Sequence, residues 1–564
     1  MLLKKKEKRQ EHFYYTYDYL KKTVHGIIAT ALRENPYEIV RTKGELDARI
    51  MFKKDLRKAL KNCVVGDCDA KIFVVDFIKD ILVVRLRLTE EDFNCILPFE
   101  RPLALSVQDK FEMVLYQYRQ EYGVLAFEKL AEEFQMDQPK MDDNGEWFYE
   151  ISEQDMEECY EENCGMPLRF IDKLNITAQR LYQELKGNGV VDGLLDLKLD
   201  GISGGVSGTI PSSSQFETIL ESGGFLGQSV WVFFKGKSIH LSFLSFRTER
   251  ELIRICKNIY RYRNPGQLSE VKGYLVNEMA DGSRVAVARP PFCENWVFFI
   301  RKFDSVEKKE MKQLLTDENH VLPIMLIKWL VKGCQVIAVT GEQGSGKTTL
   351  LMSMIQFVKP SYNLRIQEQA FELHLRKVYP RRNIVTFRET AYISGQEGLE
   401  FQKKTDGTVN ILGEVASLEV CSWLIQMGQA ASAFTMFTHH AKTTMDLIFY
   451  FRNALLQAGG FSNEAVAASQ VVNVLDFDIH MEKADDGHRY VAKITEIIKK
   501  DGYFGEQAEK MFELNELLVF ENGGYHVKNM LSEGAQRRIL GKLSGEDKSS
   551  FVEQMKYWRD VCEN

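Results

Sequence analysis

Apolar residues recur at helical spacing over Tyr17–Arg33, which predicts an amphipathic helix, and Leu56–Cys63 carries a shorter stretch of the same kind. Lys71–Val75 and Ile81–Arg87 are rich in β-branched residues and predict strands, whereas Phe111–Phe134 predicts a helix. Asp142–Glu162 is strongly acidic and holds no Lys or Arg; Glu157, Glu158, Glu161 and Glu162 lie in it. Such a run reads as a solvated helix face or a linker, and it marks a domain boundary. Leu168–Gly187 predicts a helix. The glycines at 187, 189, 201, 204, 205 and 208 then predict repeated turns. Ser229–Phe234 and Ser238–Phe243 read as two strands joined at Lys235-Gly236-Lys237, a hairpin signal. Glu249–Tyr262 is helical in pattern, and Arg284–Ala288 and Trp296–Arg301 are strand-like, with Pro290-Pro291 interrupting between them.

From Val321 onward helix and strand alternate. Leu322–Val331 and Thr348–Val358 predict helices, and Gln335–Thr340, Asn383–Phe387 and Val409–Leu412 predict strands. Alternation of this kind implies a mostly parallel sheet covered by helices on both faces. The expected organisation is an N-terminal mixed extension over 1–165 with its acidic linker near 142–162, a small α+β domain over 166–320, and an α/β domain with C-terminal helices over 321–564.

The 564 residues, 45% hydrophobic and 27% charged, are enough for roughly three or four globular domains. A net charge of −7 and the lack of a basic-aromatic pattern argue against a nucleic-acid partner. The ten cysteines include no C-x-x-C pair; Cys63/Cys68 and Cys159/Cys164 are each separated by four residues, a zinc site would need two matched pairs with good local geometry, and free thiols in a reducing compartment are expected. Lys4, Lys5, Lys6, Lys8 and Arg9 make the start basic, but charged Glu7–Glu11 stands where a signal peptide needs apolar residues. Those lysines fit either a solvated terminus or contact with anionic lipid. No apolar run is long enough for a transmembrane helix.

The chemistry concentrates in Gly341-Glu-Gln-Gly344-Ser-Gly346-Lys347-Thr348, which fits G-x-x-x-x-G-K-[ST] and lies between a predicted strand and a predicted helix. Glycines let successive backbone N–H groups converge on one phosphate, and the helix N-terminus adds positive charge at the same point. Gly341, Gly344, Ser345, Gly346, Lys347, Thr348 and Thr349 are therefore the expected nucleotide-binding residues. Lys347 would serve the β- and γ-phosphates of ATP, and Thr348 would offer its hydroxyl to Mg²⁺. Hydrolysis also needs carboxylates. Glu414 follows the strand Val409–Leu412, and Glu368 and Glu372 follow the P-loop helix; by spacing alone each also fits a surface glutamate. His440, after an apolar stretch, also fits a satisfied core histidine.

Taken together, these segments resemble the type II/IV secretion ATPases of the Tad/CpaF kind, which power tight-adherence (Flp) pili; residues 168–535 carry the resemblance. Glu368–Leu373 resembles the family's Asp box, Leu412-Gly413-Glu414-Val415 its Walker B end, and Thr438-His439-His440-Ala441 its His box. Asp281-Gly-Ser-Arg284-Val, Pro290-Pro291 and Ile300-Arg301-Lys302-Phe303 match D-G-S-R-V, P-P and I-R-K-F in order. The resemblance implies a RecA-like P-loop ATPase domain and assigns roles. Glu414 would hold Mg²⁺ through water and Glu368 would polarise the attacking water. His440 would sense the nucleotide, and Arg284 and Arg301 would reach the γ-phosphate on domain closure. It further implies a cytoplasmic hexamer, peripheral at the inner face of the membrane, acting on membrane platform proteins.

Several family positions differ. Gln369 stands for the Asp of the Asp box, Ala416 for the Arg after G-E-V, and Ser432 for the first His before the His box, while Lys403 and Lys404 occupy an arginine-rich segment. Loss of one charge-stabilising arginine costs about 10³-fold or more in phosphoryl transfer. Two hypotheses follow: a motor that hydrolyses ATP, slowly or with partners, and a nucleotide-binding structural or regulatory ring with little turnover.

Overall fold

The computed structural model describes residues 16–39, 42–142, 145–163, 168–207, 229–263, 265–302, 309–369, 371–390, 393–430, 432–459, 461–484, 486–500 and 511–563. The basic start with its lysines, Cys164, Gly208, Phe303 and the interior of the segment before the His box at Ala431 lie outside them. The chain divides into two compact units, Met1–Asp304 and Ser305–Asn564. No helix of the described residues is long and apolar enough to cross a membrane.

In the first unit, helices Tyr17–Arg33, Lys43–Asn62, Cys68–Asp80, Val107–Tyr122, Ala126–Glu133, Glu153–Asn163 and Phe170–Leu185 share one hydrophobic cluster with a seven-stranded sheet. Its strands are β1 (Glu150–Ile151), β2 (Gly201–Gly204), β3 (Ser229–Phe234), β4 (Lys237–Ser245), β5 (Tyr274–Glu278), β6 (Arg284–Ala288) and β7 (Val297–Arg301). The spatial order is β1-β4-β3-β2-β7-β6-β5, antiparallel except for β1 against β4.

Lys71–Val75 and Ile81–Arg85 of the stretch Ile81–Arg87, predicted as strands, are helical: Cys68–Asp80 continues into a π-turn at Ile81–Arg85. Asp67 caps the helix by accepting from the Ala70 amide, and Val74, Phe77, Ile78, Ile81 and Leu82 fall on one buried face. The three-to-four-residue periodicity outweighs β-propensity, and the β-branched Ile72 and Val84 are left exposed. Phe111–Phe134 is broken at Gly123, whose φ of 58° ends Val107–Tyr122 before Ala126–Glu133 begins. The glycines at 201 and 204 do not turn the chain. They belong to β2, where a Cβ at Gly204 would stand 2.5 Å from the Phe298 ring, so glycine is required for close packing.

The acidic stretch is built into the unit. Ile151 pairs with β4, and Glu157 and Asp155 form ion pairs with Lys110 and Lys140. Residues on both sides of position 165 thus contribute to one core. The joint is also ionic: Arg180, 6% exposed, donates to Glu112 at 2.7 Å and Asp109 at 2.6 Å.

The second unit centres on a nine-stranded sheet: β8 (Ile337–Gly341), β9 (Leu364–Glu368), β10 (Ile384–Arg388), β11 (Val409–Leu412), β12 (Phe434–His439), β13 (Phe477–Lys483), β14 (Arg489–Lys499), β15 (Phe512–Glu521) and β16 (Gly524–Val527). The order is β10-β9-β11-β12-β8-β13-β14-β15-β16, parallel from β10 through β13 and antiparallel beyond. This is the mixed α/β architecture with a mostly parallel sheet that the alternating pattern predicts. One face packs on helix α1 (Val321–Lys332) and the C-terminal helices, with Trp329, Phe551 and Trp558 buried; the other is covered by Leu418–Ala430, Thr444–Gln457 and Glu464–Val474.

Breaking a buried ion pair on one side leaves the partner charges uncompensated. Arg180→Ala should therefore destabilise the first unit by about 3–5 kcal/mol in urea titration, and joint replacement of Arg180, Asp109 and Glu112 by apolar residues should recover most of the loss.

Candidate nucleotide site

The parallel strands β8, β9, β11 and β12 end at one edge of the sheet, and each end carries a candidate residue. β8 runs into the P-loop at Gly341, whose φ is 136°. A Cβ there would lie 2.1 Å from the Met481 carbonyl oxygen on β13, so glycine is obligatory. Gly344 and Gly346 also have positive φ, 81° and 94°, and Gly346 opens helix α2 (Lys347–Met354). The first amides of α2 have no intrahelical partner and give the loop its positive end.

Lys347 is buried, with Nζ donating to the carbonyls of Gly341 at 2.9 Å and Glu342 at 2.6 Å. Ser345 is fully buried and donates to the Glu342 carbonyl at 2.9 Å, closing the loop. Thr348 lines a small cleft with Glu368, Gln369, Glu372, Gly413 and Glu414. Thr349 follows it in the first turn of α2.

Glu368 is the last residue of β9 and is 4% exposed. Its Oε1 accepts from the Glu372 and Leu373 amides at 2.9 and 2.8 Å, whereas Oε2 is buried without a hydrogen-bond partner among the described residues. Burial outweighs those two amides and raises the carboxyl to about 8. Gly413 makes room for it; a Cβ there would stand 2.9 Å from Glu368 Cγ. Glu414, one residue on, is partly exposed and sits 3.2 Å from His440 Nε2. His440 Nδ1 lies 3.4 Å from Lys347 Nζ. A lysine ammonium only donates, so Nδ1 is the acceptor and the proton sits on Nε2, facing Glu414. His440 therefore bridges the P-loop lysine and the β11 glutamate.

Glu368, Glu414, His440, Lys347 and Thr348 are thus gathered in the second unit. Arg284 and Arg301 are gathered in the first, directly opposite each other across β6 and β7. Glycine curvature, the buried ammonium, the threonine hydroxyl and an unsatisfied carboxylate oxygen together fit ATP with Mg²⁺. Sequence reasoning did not single out Arg489, at the start of β14, whose Cδ would lie 3.4 Å from a Cβ on Gly346. It placed His439 within the His box without giving it a role; that residue is buried with Nδ1 on the Val415 carbonyl at 2.8 Å, its basicity lowered by burial. No spacing rule marks either one; strand register brings them to the loop.

Residues 282–514 match the family model described as Type II/IV secretion system protein. Among solved structures, the chain is similar to the VirB11 ATPase of the Brucella suis type IV secretion system in complex with sulphate, at 17% identity over 53% of this chain and 89% of that one, with a TM-score of 0.28. It is similar to the pilus retraction motor PilT with bound ADP, at 16% identity over 65% and 88%, TM-score 0.38. It is also similar to the Legionella pneumophila ATPase DotB, at 14% identity over 64% and 84%, TM-score 0.35. No curated protein matches the chain.

A carboxyl raised by burial has a stability signature. Between 4.5 and about 8 the unfolded chain ionises Glu368 while the folded chain keeps it protonated, so folding loses stability as pH rises through that window. Glu368→Gln cannot ionise. Its stability relative to wild type, from denaturant midpoints in nucleotide-free protein, should climb steadily from pH 5 to pH 8; a flat difference would contradict the buried protonated carboxyl.

Proposed function

We propose that the chain is an ATP-binding and hydrolysing motor that powers pilus assembly or protein secretion through a membrane platform, in the manner of the Tad/CpaF ATPases it resembles. The observation that carries this reading is the convergence of Lys347, Thr348, Glu368, Glu414 and His440 on one edge of a parallel sheet. The family match over 282–514 supports it.

The P-loop amides and Lys347 hold the phosphates of ATP, and Arg489 adds charge at the loop's outer side. Thr348 would hold Mg²⁺ directly and Glu414 through water, and the ion would supply positive charge beside the phosphates. Glu368 takes the proton of the attacking water. Its acidity near 8 makes it a usable base close to neutral pH, and its buried position fixes its direction. His440 reports occupancy, because a phosphate that engages Lys347 competes for the ammonium that His440 accepts from. Arg284 and Arg301 stabilise the γ-phosphate charge as it develops, so chemistry is coupled to movement. Six copies form a ring at the cytoplasmic face of the membrane.

Steady-state phosphate release tests the reading. Lys347→Ala should lose both ATP binding and turnover. Glu368→Gln should bind ATP but turn over about 10²–10⁴-fold more slowly. Because Glu368 works deprotonated, wild-type kcat/KM should rise with pH toward about 8. A wild-type chain that binds ATP without any turnover would instead be the regulatory ring.

A further inference from the structure

One buried carboxylate of the second unit has no part in the chemistry above. Asp478, on β13, is 1% exposed and stands in register beside Ala338 of β8, within the sheet face that Phe437, Leu447 and Ile448 also line. Its two oxygens are each taken by a hydroxyl. Thr340 donates to Oδ1 at 2.7 Å and Thr444 donates to Oδ2 at 2.7 Å. Both threonines are buried, at 0% and 2% exposure. Thr340 is the residue before Gly341. Thr444 opens helix α3 (Thr444–Gln457), which begins just after His440-Ala441-Lys442-Thr443. The Thr340 hydroxyl, its hydrogen given to Asp478, meets His480 Nδ1 at 2.9 Å as an acceptor.

We propose that Asp478 is a positioning residue of the ATP site, tying the threonine at the mouth of the P-loop to the first turn of the helix after His440, and so holding His440 between Lys347 and Glu414. The proposal rests on the ATP-site reading above. The loop at 440–443 has two anchors. One is β12, whose His439 lies level with Thr340. The other is Thr444, and Asp478 refers it to the same Thr340. Lys347 Nζ bonds the carbonyl of the next residue, Gly341. One carboxylate therefore sets both ends of the Lys347–His440 contact. For stability alone an apolar side chain would serve this face as well or better, because burying a carboxylate is costly even when it is bonded. What the carboxylate adds is two directional bonds.

The test uses the full chain. Asp478→Leu and Thr444→Val remove the tether while keeping the face apolar, so both should fold, with Asp478→Leu at least as resistant to urea as wild type. Each should lower ATP turnover by about 10–10²-fold, as a small misplacement of a reacting group does. ATP affinity, followed with a fluorescent ATP analogue, should stay within about 3-fold, which places the defect in the chemical step. The double variant should lose no more than the worse single one, since both cut one tether. Asp478→Asn keeps an acceptor for Thr340 and a donor for Thr444, and should retain most of the turnover. Hydrogen exchange of the 440–446 amides gives a readout free of catalysis: ATP with magnesium should slow it in wild type and fail to do so in Asp478→Leu. Unchanged turnover and unchanged exchange in a folded Asp478→Leu would overturn the proposal. If wild type binds ATP without hydrolysing it, the exchange result decides alone. If wild type binds no ATP, the underlying site reading falls, and the proposal with it.

Discussion

Parallel strands deliver their C-terminal residues to the same edge of a sheet, and here that edge is fixed by β8 lying between β12 and β13. The pairing sets Thr340 level with His439 on one side and His480 on the other. It also brings the Met481 carbonyl so close to Gly341 that no side chain fits there. The P-loop must therefore leave the sheet as it does, with Lys347 folded back onto the carbonyls of Gly341 and Glu342. If β8 shifted in register by one residue, the side chains on its two buried faces would exchange and the loop would lose its path. The site residues of this unit are placed relative to this strand.

The site then separates its two carboxylates by environment. Glu368 closes β9 in a dry position, half satisfied by two amides, and is held protonated near neutral pH by burial. Glu414 lies beyond the end of β11, partly in solvent and within reach of His440. Two acids in such different surroundings suit different tasks, one moving a proton and one managing cation charge. Gly413 between them is as necessary as the acids, since a side chain there would collide with Glu368.

Much of this was legible in the chain itself. The P-loop announces itself because phosphate binding demands glycines and a lysine at fixed offsets, and the strand–helix context could be read around it. Arg284–Ala288, Ser229–Phe234 and Val409–Leu412 are strands as their alternation and apolar runs predict. The stretch from Lys71 to Arg87 misleads because β-branched residues are common in it, while its true signal is the three-to-four-residue spacing of Val74, Phe77, Ile78, Ile81 and Leu82. Gly201 and Gly204 mislead in the other direction, since a glycine that admits a neighbouring ring looks in sequence like one that turns the chain. Asp478 was invisible for a different reason. Its partners, Thr340 and Thr444, lie 138 and 34 residues away, and only sheet register joins them.

The first unit carries its own constraint on function. Arg284 and Arg301 stand opposite each other on adjacent strands, an arrangement of like charges that costs stability in a sheet. The strands beneath them are held by Val285, Val287, Phe298 and Ile300, buried in the same cluster that takes Leu20, Phe93 and Leu181 from the helices before residue 186. Cores of this density pass displacement on instead of absorbing it. The arginine pair therefore cannot shift by itself: any movement of these strands carries the N-terminal helices as well. The helices at 17–163 and the arginine-bearing strands are parts of one packed core. Their acidic and basic partners, Arg180 with Asp109 and Glu112 and Lys110 with Glu157, would be the pins that make it rigid.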